Sequence, residues 1–160
     1  MHSLANKLNI PVCGLCDCNP HGLRVLHTYE WAGFNMGVDG CDRYGVPVRW
    51  VGLRPSHVQA LEGQLPPNAY QLLTDDDEEW MNKLLSDHPF HCNHNDGAVR
   101  FRELQLMQST GYKLELEVLN WFGAHGLADY VAEKIREVLA EVVQVAEVVQ
   151  VAEIAEIVEV

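Results

Sequence analysis

The sequence predicts an α/β protein: a parallel sheet with flanking helices, then a helical carboxyl half and a low-complexity tail. Three stretches carry that reading. Ile10 to Leu15 is a short apolar run closed by Asp17, as in a strand buried on both faces. Pro20 to about Trp31 has helical spacing, with Leu23, Leu26, His27 and Glu30 on one side. Val46 to Leu53 is a second apolar run. Strand, helix, strand in that order is a βαβ unit, whose two strands run parallel.

The remaining elements follow in order. Ser3 to Leu8 reads as the end of a helix. Asn19 is placed to cap the helix after the first strand, and Pro20 fits its first position. A loop containing Gly33, Gly37, Gly40 and Gly45 leads to the second strand. Arg54 to Val58 starts a short helix or turn with Ser56 as its cap. Thr74 caps a further helix, and the acids after it, from Asp75 to Glu79, suit the positive end of the helix dipole. Helices are expected at about Ala98 to Ser109, Tyr112 to Phe122 and Leu127 to Leu139. From Glu141 the chain turns repetitive, with a polar residue at every third position, which a helix of period 3.6 cannot keep on one face; a helix, association with another chain and aggregation as a β-prone segment all stay open for it. The expected division is therefore a domain over 1–139 and a repetitive tail over 140–160.

Composition narrows the function classes. The 160 residues fit one domain, with 48% hydrophobic and 21% charged side chains. There is no run of about 18 apolar residues, which argues against a membrane span. The amino terminus lacks the apolar core of a signal peptide, so the expected setting is intracellular and Cys13, Cys16, Cys18, Cys41 and Cys92 are expected as thiols. The net charge is −12; the segment Glu141 to Val160 contributes five Glu and no base, leaving −7 on the rest. Bulk charge therefore does not favour nucleic acid, although Arg24, Arg43, Arg49, Arg54, Arg100 and Arg102 allow a local basic patch.

In open parallel sheets ligands bind beyond the carboxyl ends of the strands. Asp17 lies there, and the helix amino terminus at Pro20-His21-Gly22 offers free N–H groups and a positive dipole end. A carboxylate at that place can hold a hard cation, which in turn can hold phosphate. Taken alone, the same pattern also describes an ordinary capping turn. Cys13, Cys16 and Cys18 with His91, Cys92 and His94 invite a zinc reading, but residues three apart in a strand point to opposite faces, and small buried thiols account for them better.

The chain resembles one family at several ordered places. Asp17-Cys18-Asn19-Pro20-His21-Gly22 is similar to the Asp-x-Asp-Pro-His-Gly motif of the family that comprises the A subunit of DNA topoisomerase VI and the related meiotic double-strand-break protein. Trp50-Val51-Gly52-Leu53-Arg54-Pro55-Ser56 is similar to its Trp-Leu-Gly-Leu-x-Pro-Ser segment, and Leu72-Leu73-Thr74 to Leu85 to its Leu-Thr-x-x-Asp helix. Arg102 to Met107 and Gly111 to Leu119 resemble its Glu-Leu-x-x-Met and Gly-x-Lys-x-Glu-x-x-x-Leu runs. Leu127 to Ile135 resembles its closing Leu-x-x-Tyr-x-x-x-Lys-Ile.

The resemblance implies a Toprim domain, in which one Glu and an Asp-x-Asp pair hold Mg²⁺, and a role in Mg²⁺-assisted double-strand cleavage or topoisomerisation of DNA. It places Asp17 and Asn19 as metal ligands and His21, Arg54 and Lys113 at DNA. Expected partners are DNA and either a second copy or an ATPase-type B subunit, with no membrane; the expected site is the nucleus or chromosome in a eukaryote, otherwise the cytoplasm. Three departures stand out. Asn19 occupies the place of the second Asp. The family's metal-binding Glu belongs on a strand ahead of the first helix, and none is expected here. None of Tyr29, Tyr44, Tyr70, Tyr112 and Tyr130 has the context of the family's nucleophile, which lies on a preceding winged-helix domain. The alternative expectation is thus a catalytically incomplete chain that acts as an interaction module. A small-molecule phosphotransfer domain is a third.

Overall fold

The computed structural model describes residues 7–8, 10–31, 43–87 and 97–158. The βαβ unit is present. Strand β1 (Val12–Gly14) pairs in parallel with β2 (Val48–Trp50), in the register Val12↔Val48, Cys13↔Arg49 and Gly14↔Trp50. Helix α1 (Pro20–Trp31) connects them. It starts where Asn19 and Pro20 predict: Asn19 Oδ1 accepts the Gly22 N–H at 2.7 Å, which satisfies one of the orphan donors of the first turn.

Next come α2 (Pro55–Ala60) and a 3-10 turn (Pro67–Ala69). A second small sheet, β3 (Gln71–Leu72) with β4 (Tyr112–Lys113), is antiparallel. Between its strands lie α3 (Asp75–Asp87) and α4 (Gly97–Thr110). A 3-10 segment (Leu116–Phe122) and the long helix α5 (Gly126–Val158) complete the described chain. The core gathers Trp50, Leu53, Met81, Leu104, Met107, Leu114 and Leu119, each at most 2% exposed. Burying one such side chain contributes about 1.5–3 kcal/mol.

Four expectations are corrected. The run Ile10 to Leu15 is not buried on both faces: Ile10 and Leu15 are 55% and 50% exposed and Cys13 is also exposed. The helices and turns cover the face that holds Val12, while β1 pairs on one edge only among the described residues. Tyr112 to Phe122 is not a helix but strand, bridge and 3-10 turn. Its residues Lys113 to Val118 alternate polar and apolar, a period that suits extended chain. Ser56 does not cap α2; Arg54 is the capping position, with no side-chain bond, and the Ser56 hydroxyl and N–H both donate to Glu103. Finally, the helix expected to stop at Leu139 runs on to Val158: residues 127–158 contain no Gly or Pro, and their Ala and Glu favour a helix although Val is the commonest residue. The line between 139 and 140 falls inside it.

The outer edge of β2 is closed by side chains. In a parallel ladder both backbone groups of one residue point the same way, and those of Val48 and Trp50 point away from β1. Glu30 accepts the Val48 N–H at 3.4 Å, Arg100 donates to the Val48 carbonyl, and Arg54 donates to the Trp50 carbonyl through Nε (3.2 Å) and Nη2. Glu30 and Arg100 are themselves a buried ion pair. Three charged side chains thus take the place of a further strand's backbone, and among the described residues the sheet ends there.

Candidate metal centre

The chain leaves β1 through Leu15 and Cys16 and turns sharply into α1. The turn is tight enough to demand glycine at two neighbouring positions. A Cβ on Gly22 would lie 2.8 Å from the Asp17 carbonyl oxygen, and one on Gly52 would lie 2.1 Å from the Cys16 carbonyl oxygen. Both contacts are with backbone and cannot yield cheaply, so Gly22 and Gly52 fix the place of Asp17 from two sides.

A third side is set by the 112–117 segment. Leu114 is buried and bridges Cys18, its N–H donating to the Cys18 carbonyl at 2.9 Å. Leu116 N–H then donates to Asp17 Oδ1 at 2.9 Å. With Leu114 pinned inward, Glu115 and Glu117 are carried to Asp17. One carboxylate oxygen from each of Asp17, Glu115 and Glu117 lies within 4.8 Å of the others. Among the described residues no ion pair reaches any of the three. Burial, the charge of Asp17 and a hydrogen bond shared with it push the Glu115 carboxyl up; the Asn19 amide opposes the rise, and Glu117 adds to it.

This donor set fits a hard divalent cation. All three groups offer oxygen, which Mg²⁺ prefers, and among the described residues no neighbouring base offsets their charges. Asp17, Glu115 and Glu117 would hold such an ion through one oxygen each, and it would supply positive charge to set against a phosphate.

The sequence-derived residues divide as follows. Asp17 is half-buried at the centre of the cluster. Asn19 is buried beside it: its oxygen caps α1, and its amide donates toward Glu115 Oε1 at 3.4 Å. His21 is exposed in the first turn of α1. Arg54 is held against the Trp50 carbonyl and over the Trp50 ring, 5.7 Å from its centroid. Lys113 Nζ is bound to Asp77 Oδ2 at 2.5 Å. His21, Arg54 and Lys113 therefore do not meet one another through these contacts. Cys16 and Cys18 are buried free thiols; burial and then the Asp17 charge push Cys16 up to about 12, so it stays protonated at neutral pH. His91, Cys92 and His94 lie outside the described residues.

Comparison with known proteins is consistent with this geometry. The family model for the Toprim domain of the topoisomerase 6 A subunit and Spo11 matches residues 1–135. The chain belongs to this family. The meiotic recombination protein SPO11-2 of Oryza sativa subsp. indica is 37% identical over 84% of this chain and 32% of its own length. Meiotic recombination protein SPO11-2 of Arabidopsis thaliana is 32% identical over 79% of the chain and 30% of its own length. The A subunit of DNA topoisomerase 6 from Arabidopsis thaliana is 28% identical over 86% of the chain and 31% of its own length. The chain thus spans about a third of the length of the curated relatives it matches.

Within this Toprim domain, Glu115 and Glu117 were not singled out from sequence as cluster members. The signal was present in Lys113-Leu114-Glu115-Leu116-Glu117-Val118, whose strict alternation puts both acids on the side opposite the buried leucines. Among the described residues no helix is long and apolar enough to cross a membrane.

Proposed function

We propose that this Toprim domain binds Mg²⁺ through Asp17 with Glu115 and Glu117, and serves as the metal-holding side of a DNA-cleaving assembly of the topoisomerase 6/Spo11 kind. The observation that carries this reading is the convergence of three carboxylates, with no base among the described residues to answer them, beyond the carboxyl end of β1 and beside the amino terminus of α1. When bound, Mg²⁺ offsets phosphate charge and orients the scissile strand. The residues of the chain prepare that place. The Leu116 N–H orients Asp17; Asn19 caps α1 and holds Glu115; the helix amino terminus presents His21 toward an incoming phosphate. DNA is the proposed substrate, with Arg54 and Lys113 as backbone contacts that first release their present partners. A second copy or an ATPase-type subunit is the proposed partner, and the chromosome is the proposed place of action. None of Tyr29, Tyr44, Tyr70, Tyr112 and Tyr130 has the nucleophile's context, so these 160 residues by themselves should not cleave DNA.

Titration calorimetry with Mg²⁺ tests the site. Binding is expected for the unaltered chain, loss of at least tenfold in affinity for Asp17→Ala, and a gain for Asn19→Asp, which keeps the cap and adds a charge. An affinity that responds to neither substitution rejects the metal reading. A second reading, a non-catalytic interaction module, is favoured by the occupied side chain of Asn19, whose oxygen and amide are both engaged within the fold. Absence of any Mg²⁺ response would leave that reading standing. Purified chain that forms a covalent adduct with DNA would contradict both.

A further inference from the structure

Behind the acid cluster, on the other side of the Cys18–Leu114 bridge, lies a cavity of about 610 Å³. That is within the ordinary range for small-ligand sites. Cys18, Leu65 and Leu114 form its apolar floor, together with Pro55 and Val58 of α2. Tyr70 and Tyr112 stand along one side. Their rings are 5.7 Å apart at an interplanar angle of 73°, an edge-to-face contact. Glu62 is exposed at the mouth beside Gln59 and Thr110.

The charge of the lining decides the ligand class. The lining contains one carboxylate and no Lys, Arg or His, so it repels phosphate and nucleic acid. Glu62 has no ion pair among the described residues. Aromatic walls set at an angle beside a carboxylate, over an apolar floor, match an organic cation: the ring faces attract the positive charge, the floor takes the apolar body, and the carboxylate completes the charge balance. We propose that this cavity binds an alkylated ammonium group on an apolar body, with Tyr70 and Tyr112 as cage walls and Glu62 as counter-ion. The site is independent of the metal reading, since none of Asp17, Glu115 and Glu117 lines it.

The same chemistry occurs on free quaternary amines and on methylated lysine side chains, and the test separates them. Ring resonances of Tyr70 and Tyr112 are followed by NMR during titration with choline, with a short trimethyl-lysine peptide, and with 3,3-dimethylbutanol, the uncharged isostere of choline. Saturable shifts with either cation, at least tenfold weaker with the isostere, are expected. Glu62→Gln and Tyr112→Ala should each weaken binding about tenfold; both residues are exposed, and unchanged melting of the variants confirms their fold. Preference for the peptide assigns the site to a modified protein tail, and preference for choline to a small amine. No saturable shift with either cation up to 10 mM of probe (on the order of the millimolar affinity that the weakest specific sites show), or equal binding of the isostere, overturns the proposal.

Discussion

The molecule holds two kinds of carboxylate, and they are treated in opposite ways. On the α1–α4 side, Glu30 is buried but paired with Arg100 and bonded to the backbone of β2, and Glu103 accepts from Ser56. At the carboxyl end of β1, Asp17, Glu115 and Glu117 converge with no basic partner among the described residues, and after burial the charges of Asp17 and Glu117 push the Glu115 carboxyl up. A buried acid whose two oxygens each have a donor belongs to the architecture. A cluster of acids left to repel carries a cost that a proton or a bound cation removes. The two groups should therefore respond to neutralisation with opposite signs.

The largest effect is expected at the answered acid. Glu30→Ala removes the buried carboxylate that faces Arg100 and accepts the Val48 N–H; loss of one partner of such a pair costs about 3–5 kcal/mol. Chemical denaturation reads it directly. Loss under about 1 kcal/mol would mean that the pair is screened, and would break the contrast. Asp17→Asn should do the reverse. Asn keeps an oxygen for the Leu116 N–H while removing one of three like charges. Without Mg²⁺ the variant should melt no lower than the parent, and with Mg²⁺ it should lose the stabilisation that the parent gains. At a hundredfold excess over Kd that gain is about 2.7 kcal/mol. A variant that melts lower with and without the ion would place Asp17 with the architectural acids.

How far the sequence foretold this contrast depends on the residue. Asn19-Pro20 marked the start of α1, and Thr74 marked that of α3, because capping is local chemistry: a side chain two or three residues away answers a known orphan donor. The parallel pairing of β1 and β2 was legible from two apolar runs around a helix. Glu115 and Glu117 were not found, since they reach Asp17 across about a hundred residues through the Cys18–Leu114 bridge, and Tyr112, Leu116 and Leu119 also have the spacing of a helical face. Arg54 and Lys113 looked like free bases for the same reason: Trp50 and Asp77 engage them through the fold, and nothing local announces it.

A middle-sized effect falls on an acid that belongs to neither group. Asp77 is drawn up by burial, but hydrogen bonds from Lys113 and Thr74 outweigh that and hold it below its usual value. Its Oδ2 accepts the Thr74 N–H at 3.0 Å, and Thr74 Oγ1 accepts the Asp77 N–H at 3.2 Å, a reciprocal cap on α3. Thr74→Ala is expected to cost about 1 kcal/mol. The cost should be independent of Mg²⁺, which separates this surface network from the cluster beyond β1.

The smallest effect at neutral pH, and the one that emerges only on acidification, concerns a base. His57 packs edge-on against Tyr130, and its Nδ1 lies 2.5 Å from the Tyr130 hydroxyl, which also donates to the Gly52 carbonyl. Burial, then the charges of Lys134 and Arg54, lower His57 to about 4, while Glu137 opposes them. The folded chain thus favours the neutral ring and the unfolded chain binds the proton first. Between about 6.5, the ordinary histidine value, and 4, unfolding takes up a proton, so stability falls as pH falls through that window and is flat above it. His57→Gln, which keeps a polar contact but does not titrate, should flatten the slope between pH 6.5 and 4 relative to the parent. Melting curves across that range measure it. Because Gly52 backs directly onto Cys16 and so onto Asp17, the comparison extends one step further. If protonating His57 loosens the Gly52 contact, the parent should lose Mg²⁺ affinity in the same window more steeply than His57→Gln. Parallel losses in both chains would assign all of the pH dependence to the carboxylates.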